Sequence, residues 1–217
     1  YYFWSNATDM SDMTLTRQFD LTGVSGPVTL SYWTWYDLEE DYDYVYLLVS
    51  EDGETWDIIR TDSSTDEDPS GNSYGWAYNG ADGWKREVVS LDQYAGKEIS
   101  IRFEYVTDTA VHGEGFLIDM LEIPEIGYET SFEYGDDGWI AEGFVRIQNL
   151  LPQTFKLALV GNNGQDFVQV LELDENNQIS LELDFSGDLN EATLVVIGTT
   201  RYTRQEAGYW FSFSELP

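Results

Sequence analysis

Apolar and polar residues alternate most cleanly over residues 98–106. Ile99, Ile101, Phe103 and Tyr105 fall on one side, and Ser100, Arg102 and Glu104 on the other. That period of two predicts an antiparallel strand with one face buried. The same reading, with β-branched and aromatic enrichment, predicts strands over 14–21, 28–36, 44–49, 56–60, 84–91 and 116–123. Turn signals separate them: Thr22-Gly23, Ser25-Gly26-Pro27, Glu51-Asp52-Gly53 and Gln93 to Lys97. Residues 61–83 read as a polar loop, too long for a passive connector. Its second half carries aromatics that would pin it.

Beyond residues 124–127 the spacing shortens. Strands are predicted over 129–134, 139–147, 154–160, 167–173, 178–184, 192–198 and 209–213. Punctuation such as Gly135-Asp136-Asp137-Gly138 and Gly161-Asn162-Asn163-Gly164 lies between them. Short strands at this spacing suggest a small immunoglobulin-like β-sandwich. No amphipathic helical period occurs. The expectation is an all-β chain of two domains, residues 1–125 and 126–217.

Charge changes the picture. Ten basic residues stand against 41 acidic ones, a formal net charge of −31. Nucleic acid and anionic membrane are poor partners for such a surface. There is no cysteine, which excludes disulfides, thiolate metal sites and thiol catalysis. No apolar run approaches the roughly 18 residues of a membrane span. The chain opens on the apolar Tyr1-Tyr2-Phe3-Trp4, so it is expected to be a processed product or a piece of something longer.

The acids concentrate at one corner. Asp37, Glu39, Glu40, Asp41 and Asp43 crowd into seven residues between an aromatic strand, Tyr32 to Tyr36, and an apolar one, Tyr44 to Val49. Their repulsion needs an offset, and a hard cation with oxygen ligands supplies one. Ca²⁺ is the expected ion. Its candidate ligands are Asp37, Glu39, Asp41, Asp43 and Asp119, with Asp9 or Asp12 from the opening loop. Asp119 enters because an acid inside an apolar strand is costly unless paired or metal-bound. An EF-hand is absent, since the corner lacks that loop's glycine and terminal glutamate. An acidic hairpin left in water is the competing reading.

Tyr74, Trp76, Tyr78 and Trp84 are candidates for stacking on a sugar, or for covering the rim of a sandwich. Trp33 and Trp35 are expected in the core. Catalysis finds no foothold: no G-x-S-x-G, no P-loop, and a single histidine, His112.

An ordered set of segments carries a resemblance. Leu15-Thr16-Arg17 and Asp20-Leu21-Thr22-Gly23 are followed by residues 35–44 and 49–56. Then come Gly83-Trp84, Leu91 to Lys97, Ile101-Arg102-Phe103 and Gly115-Phe116-Leu117-Ile118-Asp119. The first 125 residues resemble the jelly-roll domain that follows the catalytic domain in immune inhibitor A-type secreted metallopeptidases, related in architecture to MAM-type and carbohydrate-binding jelly rolls. The remainder is similar to the C-terminal β-domain that can follow it. The resemblance implies a secreted or cell-surface protein, Ca²⁺ in the jelly roll and no protease activity in this piece. The peptidase needs H-E-x-x-H, which His112-Gly113-Glu114 cannot supply. The family often has a second acid where this chain has Met120.

The resulting expectation is a non-catalytic extracellular accessory or adhesion module, engaging protein or polysaccharide at a cell surface. The alternatives are a structural subunit of a filament or surface layer, associating through strand edges, and a carbohydrate-binding module.

Overall fold

The computed structural model describes residues 1–214. They fall into two units, divided between Asn149 and Leu150. Unit 1 contains β1 (Tyr2–Trp4), β2 (Asp12–Asp20), β3 (Thr29–Asp37), β4 (Tyr44–Ser50) and β5 (Asp57–Ile58). It continues through β6 (Ala81–Ser90), β7 (Glu98–Val106), β8 (Gly115–Ile123), β9 (Tyr128–Thr130), β10 (Ile140–Glu142) and β11 (Val145–Ile147). Only two single-turn 3₁₀ helices interrupt it, Asp92–Tyr94 and Pro124–Ile126. No helix among the described residues is long and apolar enough to cross a membrane.

Two antiparallel sheets form the unit. The first runs β11-β1-β8-β3-β6, with β9 also on β8; the second runs β10-β2-β7-β4-β5. The predicted alternation over β7 is realised, with Ile99, Ile101, Phe103 and Tyr105 all within 1% exposure. Inward side chains from both sheets make one core with aromatic rings at its centre. Tyr32 and Phe103 lie 5.0 Å apart edge to face, and Tyr78 and Phe116 lie 5.1 Å apart. β4 is buried on both faces, because the long loop folds back over Tyr44, Tyr46 and Leu48.

Three expectations are corrected. Residues 126–149 do not begin the second domain. β9 pairs with β8, β10 with β2 and β11 with β1, so this stretch completes both sheets of unit 1. The single strand expected over 139–147 is split at Gly143, where the chain passes from one sheet to the other. There φ is +90°, and a Cβ would lie 2.5 Å from Met13 Cγ. Trp33 is not core: it is 38% exposed, and Trp35 is half-buried. Tyr32, Thr34 and Tyr36 take the inner face of β3, and the pleat sends their neighbours outward.

Unit 2 holds β12 (Phe155–Asn162), β13 (Asp166–Leu171) and β14 (Glu191–Gly198) in one antiparallel sheet, ordered β13-β12-β14. Leu157, Leu159 and Leu171 form its small core. Residues 178–184 and 209–213, expected as strands, have no ladder partner among the described residues. Ile179, Leu181 and Leu183 do alternate, but alternation sets a face and not a neighbour. An immunoglobulin-like arrangement would need a second sheet, which the described residues do not form.

Candidate metal centre

Three loops meet at the end of unit 1 where β3 stops and β4 begins. The first is the acidic corner. Leu38 anchors it, with its side chain buried and its N–H donated to the Gly80 carbonyl. Asp41 adopts φ +70° to turn the chain. Asn79 clamps the turn from outside, accepting from the Asp41 N–H and donating to the Asp43 carbonyl. The second loop follows β7. Because Tyr44 pairs with Val106, the residue after β7 arrives beside the start of β4. The third is the opening loop, fixed to the second by Thr107, whose hydroxyl donates to the Thr8 carbonyl while its N–H donates to the Ser11 carbonyl.

Gly113 sets how closely the second loop approaches the corner. A Cβ there would lie 2.0 Å from the Asp37 carbonyl oxygen. Only glycine permits this contact, which holds the 107–114 loop against the end of β3.

This packing brings Glu39, Asp43 and Asp108 together, with a carboxylate oxygen of each within 4.8 Å of the others. Asp43 is fully buried. Its Oδ1 accepts from the Asp108 N–H at 3.0 Å, and its Oδ2 accepts from the Tyr105 hydroxyl at 3.0 Å. Burial nevertheless pushes its carboxyl above the ordinary range, helped by the Asp108 charge and opposed by those two bonds and by His112. Glu39 is likewise raised, by burial first and then by the charges of Asp108, Asp43 and Asp9. Its Oε2 is buried without a hydrogen-bond partner. Among the described residues, no lysine or arginine is paired with any of the three. A partnerless buried carboxylate oxygen beside two further acids is what a cation would satisfy. The cluster fits a metal ion.

Asp9 stands next to it, its carboxylate against His112 Nδ1. Of the other sequence candidates, Asp37 accepts from the Glu114 N–H at 3.2 Å, and Asp41 serves the turn through its backbone. Asp119 is elsewhere. It lies four residues into β8, opposite the exposed Trp33, on the outer face of the first sheet. That is about 13 Å along the strand from Gly115, which pairs with Asp37 at the end where the acids gather. Its carboxylate accepts from the Met120 N–H. Asp108 was missed by the sequence reading. The available signal was its place two residues after the clean alternation of β7, at the end where a neighbouring strand must begin.

The four candidate sugar-stacking aromatics do not share a surface. Tyr78 is core, its hydroxyl 2.6 Å from that of Tyr32. Trp76 lies under Arg60, and Tyr74 stacks on Tyr46. Trp84 stands in β6, edge to face with Tyr2.

The profile of the family described as immune inhibitor A-like, MAM domain, matches residues 1–149. The chain belongs to that family. The match ends where the structure itself divides, so the MAM domain is unit 1 in full, including β9 to β11. Over 149 residues the chain is 28% identical to a pre-pro-metalloprotease, PrtV, of Vibrio cholerae serotype O1, covering 67% of this chain and 16% of that protein. It is 32% identical over 149 residues to immune inhibitor A of Bacillus thuringiensis subsp. alesti, covering 68% of this chain and 20% of that protein. It is 30% identical over 97 residues to bacillopeptidase F of Bacillus subtilis strain 168, covering 44% and 6% respectively. The chain thus spans a fifth or less of the length of these relatives. The matched region is a MAM domain, an accessory region and not a catalytic one.

Proposed function

We propose that the MAM unit is a non-catalytic extracellular module locked at one end by Ca²⁺, within a secreted or cell-surface protein related to the metallopeptidases it resembles. Glu39, Asp43 and Asp108 would hold the ion, with Asp9 beside them. The observation that carries this reading is the buried, partnerless oxygen of Glu39, whose carboxylate clusters with Asp43 of the same corner and Asp108 of the loop after β7. Ca²⁺ takes six to eight oxygens in flexible geometry and accepts carboxylates, carbonyls and water together. When bound, it supplies positive charge against the mutual repulsion of the acids. The residues then do mechanical work. Asp43 ties β4 to the loop after β7, and Glu39 ties the corner to both. The lock would present the outer surfaces of the unit to a protein or polysaccharide partner in one fixed geometry.

Thermal unfolding with and without Ca²⁺ tests the proposal. Ligand binding to the native state alone raises stability by RT ln(1 + [L]/Kd), about 2.7 kcal/mol at a hundredfold excess over Kd. A melting temperature higher by several degrees in Ca²⁺ than in EDTA is expected, with metal recovered from dialysed protein. An identical melt in both, with no metal recovered, would discard it.

Self-association is a second reading, supported by unit 2. Its sheet exposes Val168 and Val170, each 70% accessible, and neither outer strand has a further partner among the described residues. The apolar start of the chain does not serve this reading, since Tyr2–Trp4 is paired on both sides between β11 and β8. Light scattering with and without Ca²⁺ measures the association directly: a mass of one chain in both conditions rejects it.

A further inference from the structure

The outer face of the first sheet is not the polar surface that an antiparallel sheet usually turns to water. β1 buries Phe3, so Tyr2 and Trp4 point outward, and β3 sends Trp33 and Trp35 the same way. Trp4 pairs with Leu117 and Leu117 with Trp35, which makes one apolar row across three strands. Trp84 belongs to the same face, because its neighbour Lys85 is in register with the inward Thr34. Its ring reaches across β3 and β8 to meet Tyr2 edge to face, with 6.2 Å between centroids, and it is still 46% exposed. Apolar residues scattered singly over a surface need no explanation, but a contiguous patch of this kind marks an interaction site.

Acids stand within this floor and at its border. Asp119 is directly opposite Trp33, and its charge helps burial to raise the Tyr2 phenol. Among the described residues, no lysine, arginine or histidine is ion-paired with Asp119. The guanidinium in register with Trp33 on its other side, that of Arg86, is taken up by Glu122 and Ser31. At Met120 the face runs into an open cleft of about 430 Å³, lined by Glu122, Glu129, Glu133 and Tyr134 among others. Glu122 and Glu133 already hold Arg86 and the Tyr1 amino group, while Glu129 holds no cation among the described residues.

Charge selects the occupant. A second copy of this chain would bring its own −31 to the face, and an acidic polymer would likewise be repelled. A neutral sugar stacks on the rings but leaves the Asp119 charge unmatched. A guanidinium or ammonium answers both: it is attracted to the face of a tryptophan ring, and an adjacent carboxylate takes its charge. We propose that this outer face docks a basic segment of a protein partner, one arginine or lysine stacking on Trp33 with its charge against Asp119, and a neighbouring basic residue entering the cleft beyond Met120. The proposal rests on the reading of the unit as a non-catalytic binding module, and not on the bound ion.

Calorimetric titration of the full chain with deca-arginine, deca-glutamate and cellohexaose, at low and high salt, tests this. Deca-arginine is expected to bind, more weakly at high salt, and the other two are not. Trp33→Ala alters no charge and should weaken deca-arginine about tenfold, with Trp33→Phe restoring much of the loss. Asp119→Asn should weaken it about fivefold. Asp52→Asn, which removes the same charge from the turn after β4, should bind like the wild type. If Trp33→Ala does not fold, Asp119→Asn against Asp52→Asn carries the test. Equal affinity in Trp33→Ala, Asp119→Asn and Asp52→Asn would overturn the site and leave only diffuse attraction to an acidic surface. Cellohexaose binding that ignores salt and is lost in Trp33→Ala would overturn it in favour of a neutral glycan. Repeating the titration in EDTA separates the face from the Ca²⁺ lock. Binding that persists there and falls in Trp33→Ala supports the face whatever becomes of the lock. Binding that is the same in wild type and Trp33→Ala in both buffers removes the face and leaves the lock untouched.

Discussion

The turns at the two ends of β4 are both acidic, with five acids over 37–43 and three over 51–56, and opposite in electrostatics. Before the strand, Asp37 to Asp43 sends Glu39 and Asp43 into a cluster with Asp108, where burial and like charge hold both carboxyls above their ordinary range. After it, Asp52 accepts the N–H groups of Glu54 and Thr55 and the Ser50 hydroxyl, and its carboxyl falls to about 2. Glu51 reaches out to Lys97 at 2.6 Å. The second turn solves its charge problem with its own backbone. The first cannot, because two other loops close over it. Acid content alone therefore marks neither a site nor a solvated turn; what packs against the acids decides.

Glycine substitutions should separate the two turns most. Gly113→Ala puts a Cβ where the Asp37 carbonyl already is, and the closing loop must move away. A loss of more than about 3 kcal/mol by urea unfolding is expected, the scale of mutations that break a packed contact. Gly53→Ala meets nothing within 4 Å and faces only an unfavourable φ of +76°, so about 1 kcal/mol is expected. Similar losses at both would erase the distinction.

Calcium should come next. Asp43→Asn and Glu39→Gln should abolish the part of the rise in melting temperature that the Glu39 cluster supplies, which for a unit of this size is roughly 5–10 °C at a hundredfold excess of ligand. Asp52→Asn should keep that rise in full.

A smaller effect is expected from pH, measured in EDTA. The folded state holds protons on Asp43 and Glu39 more tightly than the unfolded chain does. Stability from these groups therefore declines as pH climbs from about 4 through their raised values, and Ca²⁺ should flatten the decline. Asp52 has the opposite sign. Its contribution is present above about 4 and fades as pH falls toward 2. Asp43→Asn should remove part of the first slope, and Asp52→Asn part of the second.

The smallest change should follow from Asp119→Asn. Its carboxylate lies on the outer face of the first sheet, so Ca²⁺ affinity should shift by less than about 0.5 kcal/mol in titration calorimetry. A tenfold loss of affinity would bring Asp119 back among the ligands.

Much of this was legible beforehand. The alternation over 98–106 marked β7 and its buried face. The crowding over 37–43 marked the corner that supplies two of the three gathered carboxylates. Less legible was anything that depends on a neighbour. The aromatic run at Tyr32 to Tyr36 offers large apolar residues to both faces of one strand, so no pattern says that Tyr32 is core and Trp33 is exposed. Asp119 looked anomalous within an apolar strand, yet the pleat places it on the outer face beside Trp33. The stretch from Tyr128 to Ile147 has the spacing of a new domain, but its short strands complete the sheets of the old one.

By itself the sequence determined an all-β chain, the places of its longer strands, the lack of thiol chemistry and the accumulation of acid beside β4. These depend on the order of residues within a few positions of one another, which local pattern records. The tertiary structure decided that Asp108 joins Glu39 and Asp43, that Glu87 is buried against Tyr32 of β3, and that the first unit extends to Asn149. Each of those depends on strand partners far apart in the chain, and the hydrogen bonds and packing that choose such partners leave no local trace.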